Sequence, residues 1–477
     1  MNVFSNRYFA VFVVSLVFLI QLIGITNPPL EIEHNWRQVT GLMVSRNFVE
    51  QGPDLLHPKV DDNQGGSGII GMEFPLMNYL YYLVASVFGY SHWYGRIINA
   101  VVTCFGLLAF FQVAKSLFNE KIARFALLMI SCSIWFAFGR KMMPDTFALS
   151  LTMIGIWSGL RFSKEGKLMQ LALYFIFIAL GVLSKIPAAV LGAFLFIPLF
   201  DKTISLQRKW NLAIAGVIAL APALWWYFVW NSHLSEKFGY WYNSGQSLSD
   251  GMRAIASHPF SFFNRFIFSG FKSYVAFVLC FTGIVLALRK LFSAKRKYYV
   301  FAIATVVLSL LYIIRSGHFF IHHDYYMLPL LPFLALLGGF AVATLNKKWM
   351  VALVVVGMLE GLANQQHQLF IKDSEKYKMT LEGIADAHIP KDAFIVINGN
   401  GNPQQLYLAH RKGWNISDEE AQSLAFLNSL KAKGAGYLIL NRSSKIEFEI
   451  QPVYSDEHYQ IFDLREFKND LSGGFNV

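Results

Sequence analysis

Charge is scarce in this chain. Of its 477 residues only 15% are charged, while 55% are hydrophobic and 16% aromatic. A soluble protein carries roughly a quarter charged residues, so the shortfall excludes a chain whose whole surface meets water. The apolar surplus implies a polytopic membrane protein. Cysteine is scarce too. Cys104, Cys132 and Cys280 all lie within apolar runs and show neither metal-ligand spacing nor a pairing pattern, which leaves them as small core or lipid-facing residues. A small-residue cleavage site is missing after the first apolar run, where Asn27-Pro28-Pro29 follows, so that run reads as an uncleaved anchor. No complete dinucleotide or P-loop fingerprint is present. The net charge of +11 does not indicate nucleic acid, because the Lys and Arg residues fall in short clusters between apolar runs as a topology signal.

What is there is a series of about eleven runs long enough to span a bilayer. They cover residues 8–25, 94–114, 122–139, 146–162, 168–184, 186–200, 212–230, 274–288, 298–314, 327–345 and 349–363. With the amino terminus inside, every second loop is cytoplasmic. Those loops hold Lys115, Lys121 and Arg124; Arg161, Lys164 and Lys167; Lys202, Arg208 and Lys209; Arg289 to Lys297; and Lys347 with Lys348. The stretch 74–88 is apolar but short. Counting it as a span would invert the next loops, so it reads as an interfacial or re-entrant helix. Two outer loops are long, 26–93 and 231–272. The first is expected to carry a short amphipathic helix lying on the membrane over 39–50. The second is rich in aromatics, among them Phe238, Tyr240, Trp241, Tyr242, Phe260, Phe262 and Phe263, which read first as interface anchors.

The expected fold is therefore an all-α polytopic membrane domain over 1–365 with a small α/β domain over 366–477. In the latter, FIVI at 394–397 and YLIL at 437–440 read as buried strands, with helical patterns over 404–409 and 419–433. The odd span count places this domain outside. Its tract NGNGNPQQ, 398–405, reads as a turn, with anion binding as the alternative.

Acids, one lysine and a histidine pair gather where apolar runs meet the outer face. Glu31 and Glu33 follow the first span, and a carboxylate held there, partly shielded from water, can serve as general base. Asp145, in RKMMPDTF, stands at a hinge where it either caps a helix or acts chemically. Lys185, in GVLSKIPAAV, lies between two apolar runs joined by almost nothing, where phosphate is the natural partner of an ammonium and snorkelling to headgroups the bland one. His322, His323 and Asp324 open another span. Adjacent histidines rarely face one ion, so a sugar or phosphate hydrogen bond is expected there rather than a metal. Together these supply carboxylates to activate a hydroxyl and a cation for a phosphate leaving group. The missing nucleotide motif fits a donor activated as polyprenyl phosphate.

Several stretches resemble the GT-C membrane glycosyltransferases, in the bacterial branch related to protein O-mannosyltransferases and to the transferase that adds aminoarabinose to lipid A. They are HNWRQ with SRNF about ten residues on, EFPLMNYL followed by YGRIINAV, MMPDTFAL, LSKIPAAV, HHDYYMLPLLP and, in the outer domain, GNPQQLYLAHRKGW. The resemblance implies an inverting transfer, in which a loop carboxylate deprotonates the acceptor hydroxyl and polyprenyl phosphate departs. It assigns Asp145 to the acidic position after the third span and Lys185 to the donor phosphate. Arg96 matches an arginine opening the second span, as donor contact or interface anchor. His322, His323 and Tyr326 join the donor-phosphate set, and His34, Arg37, Glu73 and Asp324 the acceptor or sugar contacts. The chain departs from the pattern at Arg37-Gln38, where an acidic pair is usual. The base is then Glu33, which the sequence favours, Glu31 or Asp145. Glu73 stands where many relatives carry a basic residue, which implies altered donor or acceptor contacts.

The implied partners are a polyprenyl-phosphate-linked sugar, a lipid, glycan or protein acceptor, and membrane lipids, with no cofactor and no metal expected. The implied location is a bacterial inner membrane with the outer domain periplasmic. The rival readings are a polysaccharide ligase or polymerase using a diphosphate-linked donor, a lipid or solute transporter, and a non-catalytic scaffold. Mid-span positions are almost all apolar, which speaks against transport.

Overall fold

Each of those apolar runs folds as helix in the computed structural model, which describes residues 8–63, 66–239, 245–291, 293–345, 348–444, 446 and 448–467. Tyr240, Trp241, Tyr242 and Lys347 lie outside the described residues. The first run forms α1 (Phe9–Gln21), and the segment that follows it carries α2 (Asn35–Gln51) and α3 (Leu76–Phe88). Then come α4 (Tyr94–Leu117), α5 (Glu120–Ser131), α6 (Ile134–Phe138), α7 (Pro144–Glu165) and α8 (Leu168–Ser184). Beyond them lie the segment Ile186–Leu199, the long helix Leu206–Phe238, and the helices Tyr274–Leu291, Arg296–Ser316, Asp324–Leu345 and Lys348–Ala363. Among the described residues, five helices are long and apolar enough to cross a membrane; α1, α3, α8 and Ile186–Leu199 are apolar but shorter.

Local chemistry sets several boundaries. Asn119 caps α5 by accepting from Ile122 N at 2.9 Å, and Pro144 occupies the first turn of α7, where its missing N–H costs nothing. Small residues let α4, α7 and α8 approach closely. A Cβ on Gly106 would fall 2.3 Å from the Ser150 side chain, and one on Gly181 would fall 2.3 Å from Thr152 Oγ1. Val217, Val278, Val306 and Leu310 remain exposed on their helices, as lipid-facing residues must. Lys115 closes α4 and Lys164 closes α7, at the ends opposite Arg96 and Asp145.

The carboxy-terminal part forms a five-stranded sheet: β1 (Phe394–Ile397), β2 (Gly413–Asn415), β3 (Ala435–Asn441), β4 (Tyr454–Ser455) and β5 (Tyr459–Asp463). The order is β2-β1-β3-β5-β4, with β1 parallel to β2 and β3 and the other pairs antiparallel. Alternating side chains serve two layers. Val396, Leu438 and Phe462 pack on Leu427 and Leu430, while Ile395, Ile397, Ile439 and Ile461 join a cluster that continues into Val39, Leu42 and Phe48 of α2.

That second layer alters the expectation for 39–50. The helix is longer, and residues from Val39 to Phe48 are buried between α3 and the carboxy-terminal domain except Thr40 and Gly41, so it does not lie open on a membrane surface. Its polar residues are held inside: Arg46 donates to Tyr407 O at 2.9 Å, and Asn47 to Asp61 Oδ1 at 2.9 Å. The 398–405 tract forms a turn with Asn400 and Gly401 in left-handed backbone, tied by Asn398 and Asn400 to Asp418 at 2.8 and 3.0 Å.

Candidate active site

Helix packing draws Asp145 and Lys185 together. α8 ends at Ser184, Lys185 is extended (φ −159°), and a tighter helix begins at Ile186 with Pro187 in its first turn, so the lysine stands at a break between helices. Its Nζ lies 2.7 Å from Asp145 Oδ1, 3.3 Å from Glu73 Oε1 and 5.1 Å from the centre of the Tyr325 ring. Asp145 makes no capping hydrogen bond in α7, although it stands at the favourable end of the helix dipole. Arg37, reaching from α2, ion-pairs with Glu73. Two acids and two cations thus balance.

Beside them is a small cavity of about 10 Å³, the room of a single water, lined by Asp145, Lys185, Tyr312, Tyr325, Tyr326 and Pro329, among others. One oxygen of each acid, Asp145 Oδ2 and Glu73 Oε2, is buried with no hydrogen-bond partner among the described residues. Such an orphan acceptor is costly unless something visits it. Burial would push the Glu73 carboxyl up, but Arg37 and Lys185 hold it down to about 2.

A second group forms at the rim. Asp324 ion-pairs with Arg265 and Lys272. Glu33 accepts from Gln368 Nε2 at 2.7 Å, while its other oxygen is 3.5 Å from His367 Nε2 and 3.8 Å from Lys272 Nζ. Glu33 and His34 are consecutive non-glycine residues in left-handed backbone, φ 66° and 58°. Each such residue costs about 1–3 kcal/mol and persists only where its surroundings impose it. Lys141 does so here, donating to Glu33 O at 2.7 Å and Ile32 O at 3.4 Å. Burial lowers Lys141 to about 7 and His34 to about 3, so the His34 imidazole is neutral. The ring packs edge-on against Tyr325, centroids 4.9 Å apart, and 5.6 Å from His323.

A third group lies beneath. Glu31, 2% exposed, takes a two-pronged ion pair from Arg96, with one arm at 2.6 Å, and Arg140 stands 3.8 Å away. Both Glu31 and Arg96 are enclosed and face each other rather than the cavity.

The expected residues therefore divide. Asp145, Lys185, Glu73, Arg37 and Tyr326 meet at or beside the cavity; His34 and His323 pack on Tyr325, which lines it; Glu33 and Asp324 are held in the network around Lys272; Glu31 and Arg96 pair with each other. His322 is exposed and turned to His318 and His258, ring centroids 4.1 and 5.8 Å away. Among the described residues, no group of three or more His, Cys, Asp or Glu is placed to hold a metal ion. Sequence reasoning missed Tyr312, Tyr325, Lys141, Arg265, Lys272 and Gln368. Tyr325 lay inside a quoted motif, and Lys141 directly before MMPD, but nothing local marks the other four.

Residues 73–228, which contain Glu73, Asp145 and Lys185, match the family model described as dolichyl-phosphate-mannose-protein mannosyltransferase. No curated protein sequence matches the chain. In structure it is similar to ArnT from Cupriavidus metallidurans, solved bound to undecaprenyl phosphate, with a TM-score of 0.61 at 14% identity over 96% of this chain and 98% of that one. It is also similar to the archaeal oligosaccharyltransferase AglB from Archaeoglobus fulgidus, solved with an inhibitory peptide and a dolichol-phosphate. There the TM-score is 0.57 at 12% identity, over 92% of this chain and 70% of that one.

Proposed function

We propose, from the GT-C glycosyltransferase fold that this multi-pass membrane chain has, that it transfers a sugar from a polyprenyl-phosphate donor to a hydroxyl of an envelope acceptor. The acceptor is a glycolipid, glycan or protein, and the reaction runs at the periplasmic face of a bacterial inner membrane, where the outer domain also lies. The observation that carries this reading is the Asp145–Lys185 pair at 2.7 Å, both residues lining one small cavity, with the second Asp145 oxygen buried and without a hydrogen-bond partner among the described residues. It joins a proton acceptor and a phosphate-binding cation in one place.

The chemistry follows the charge. The acceptor oxygen attacks the anomeric carbon, the carbon–oxygen bond to the phosphate breaks, and the configuration inverts. Asp145 takes the hydroxyl proton while the polyprenyl phosphate leaves with one more negative charge. As Asp145 is neutralised its hold on Lys185 lapses, and the ammonium follows the charge to the departing phosphate. Asp145 is preferred over Glu33 as the base because the Glu33 carboxylate is engaged by Gln368, His367 and Lys272 and does not line the cavity.

The test is reconstitution in nanodiscs with three synthetic donors bearing the same sugar: a polyprenyl monophosphate, a polyprenyl diphosphate and a nucleotide. Transfer to envelope extract, read by mass spectrometry, is expected from the monophosphate alone. Transfer only from the diphosphate would establish the ligase or polymerase reading instead.

A further inference from the structure

The outer domain grips α2 along its length. Near the start, Asn402 Nδ2 donates to Asn35 Oδ1 at 3.3 Å, and Gln404 Nε2 donates to Pro29 O at 2.7 Å. Midway, buried Arg46 ion-pairs with Asp61 and lies 4.5 Å over the Tyr407 ring. Asp61 is itself stitched to the edge strand β2, accepting from Gly413 N at 3.0 Å through its main-chain oxygen. At the far end His410 sits between two acids. Its Nε2 is 2.8 Å from Glu50 Oε1 of α2, and its Nδ1 is 2.6 Å from Glu382 Oε1 of the outer-domain helix Leu381–His388.

A neutral imidazole has one donor and one lone pair, and two ionised carboxylates offer only acceptors. Both contacts are hydrogen bonds only when His410 is an imidazolium. Each acid belongs to a different part of the molecule, so the charged ring is a cross-link between them. The opposite end of α2 carries Arg37, which pairs with Glu73 in the site.

We infer that His410 is a positioning residue: as an imidazolium it locks the outer domain onto α2 and so holds Arg37 against Glu73. The lock itself stands on geometry alone, and its effect on turnover rests on the function proposed above. It gives the outer domain a task, that of adding to the hold that Asn78 and Met142 have on α2 through Gly41 O, Ser45 and Gln38.

The surroundings support the charged form. Hydrogen bonds to Glu382 and Glu50 raise the His410 pKa above its ordinary value, against burial and the nearby Arg46. The other groups facing it are Lys391, 3.9 Å from Glu382; Lys412, which acts on Glu50; and the Tyr90 ring, 6.4 Å away. His92, pushed down to about 4 chiefly by burial, stays neutral. For a group raised on folding, the stabilisation is complete below the ordinary histidine value near 6.5 and fades as pH rises through the higher folded value. The lock should therefore loosen on the alkaline side.

The experiment uses the full chain in nanodiscs, comparing the parent with His410→Gln and His410→Lys. Amide exchange protection of α2 is followed from about pH 6 to about pH 9, alongside turnover and donor KM. In the parent, protection of α2 should fall toward alkaline pH. His410→Gln should show low protection throughout and a turnover reduced about two- to thirtyfold at unchanged donor KM, the range such couplings span. His410→Lys, charged across this range, should restore protection and turnover and remove the pH dependence. Normal α2 protection in His410→Gln, or a pH dependence in His410→Lys like the parent's, would overturn the lock. If protection behaves as expected but no form transfers sugar, the lock stands and the proposed function falls.

Discussion

Asp145, in the first turn of α7, and Glu31, in the bend before α2, are both buried acids, yet they live in opposite circumstances. Glu31, 2% exposed, is gripped on both oxygens by Arg96, with Arg140 3.8 Å away. Asp145, which lines the small cavity, lends one oxygen to Lys185 and keeps the other without a hydrogen-bond partner among the described residues. The difference separates an acid that holds the fold from an acid free to act. Charge type and position in the sequence do not reveal it, because both read as a carboxylate where an apolar run ends.

The sharpest way to break this comparison is to treat the two acids alike. Glu31→Ala should cost about 3–5 kcal/mol of stability, since it leaves Arg96 charged and buried without its partner. A lowered melting temperature in detergent would register it, and an unchanged one would remove the structural assignment. Lys185→Met should act on the donor instead, weakening its binding about 10- to 100-fold through loss of a charge-assisted phosphate contact. A titration with polyprenyl phosphate measures that loss.

Smaller effects sharpen the same contrast. Glu33→Gln should lower turnover by no more than about threefold, because both Glu33 oxygens are engaged and Glu33 does not line the cavity; initial rates decide this. Glu73 should contribute nothing to mild acid sensitivity. Its depressed pKa means that its stabilisation is complete above the ordinary carboxylate value and is lost only as pH falls through about 2. The melting-temperature difference between the parent and Glu73→Gln should therefore stay constant from about pH 7 to about pH 5.

The membrane helices were legible because their signal is local. A run such as 168–184 needs no partner to declare itself, and it folds as α8 with those bounds. FIVI and YLIL were legible as β1 and within β3 for the same reason. The resemblance also led to Asp145 and Lys185, which the fold then brought together. Pairings across long separations were not legible. Asp324 meets Arg265 and Lys272, 59 and 52 residues away, and Arg46 meets Tyr407 after 361. Partner choice of this kind is set by how helices and domains pack, and no local pattern encodes it. The helix over 39–50 misled for a related reason. Its polar residues looked solvated, but their partners come from the outer domain and from the far end of the same loop.

The proposed transfer from polyprenyl phosphate turns on Asp145 as its proton acceptor. The most direct test measures donor binding and sugar transfer by purified Asp145→Asn under the same conditions. Binding should persist while transfer falls by at least about 100-fold, the lower range for loss of a general base. Transfer at the parental rate would contradict it.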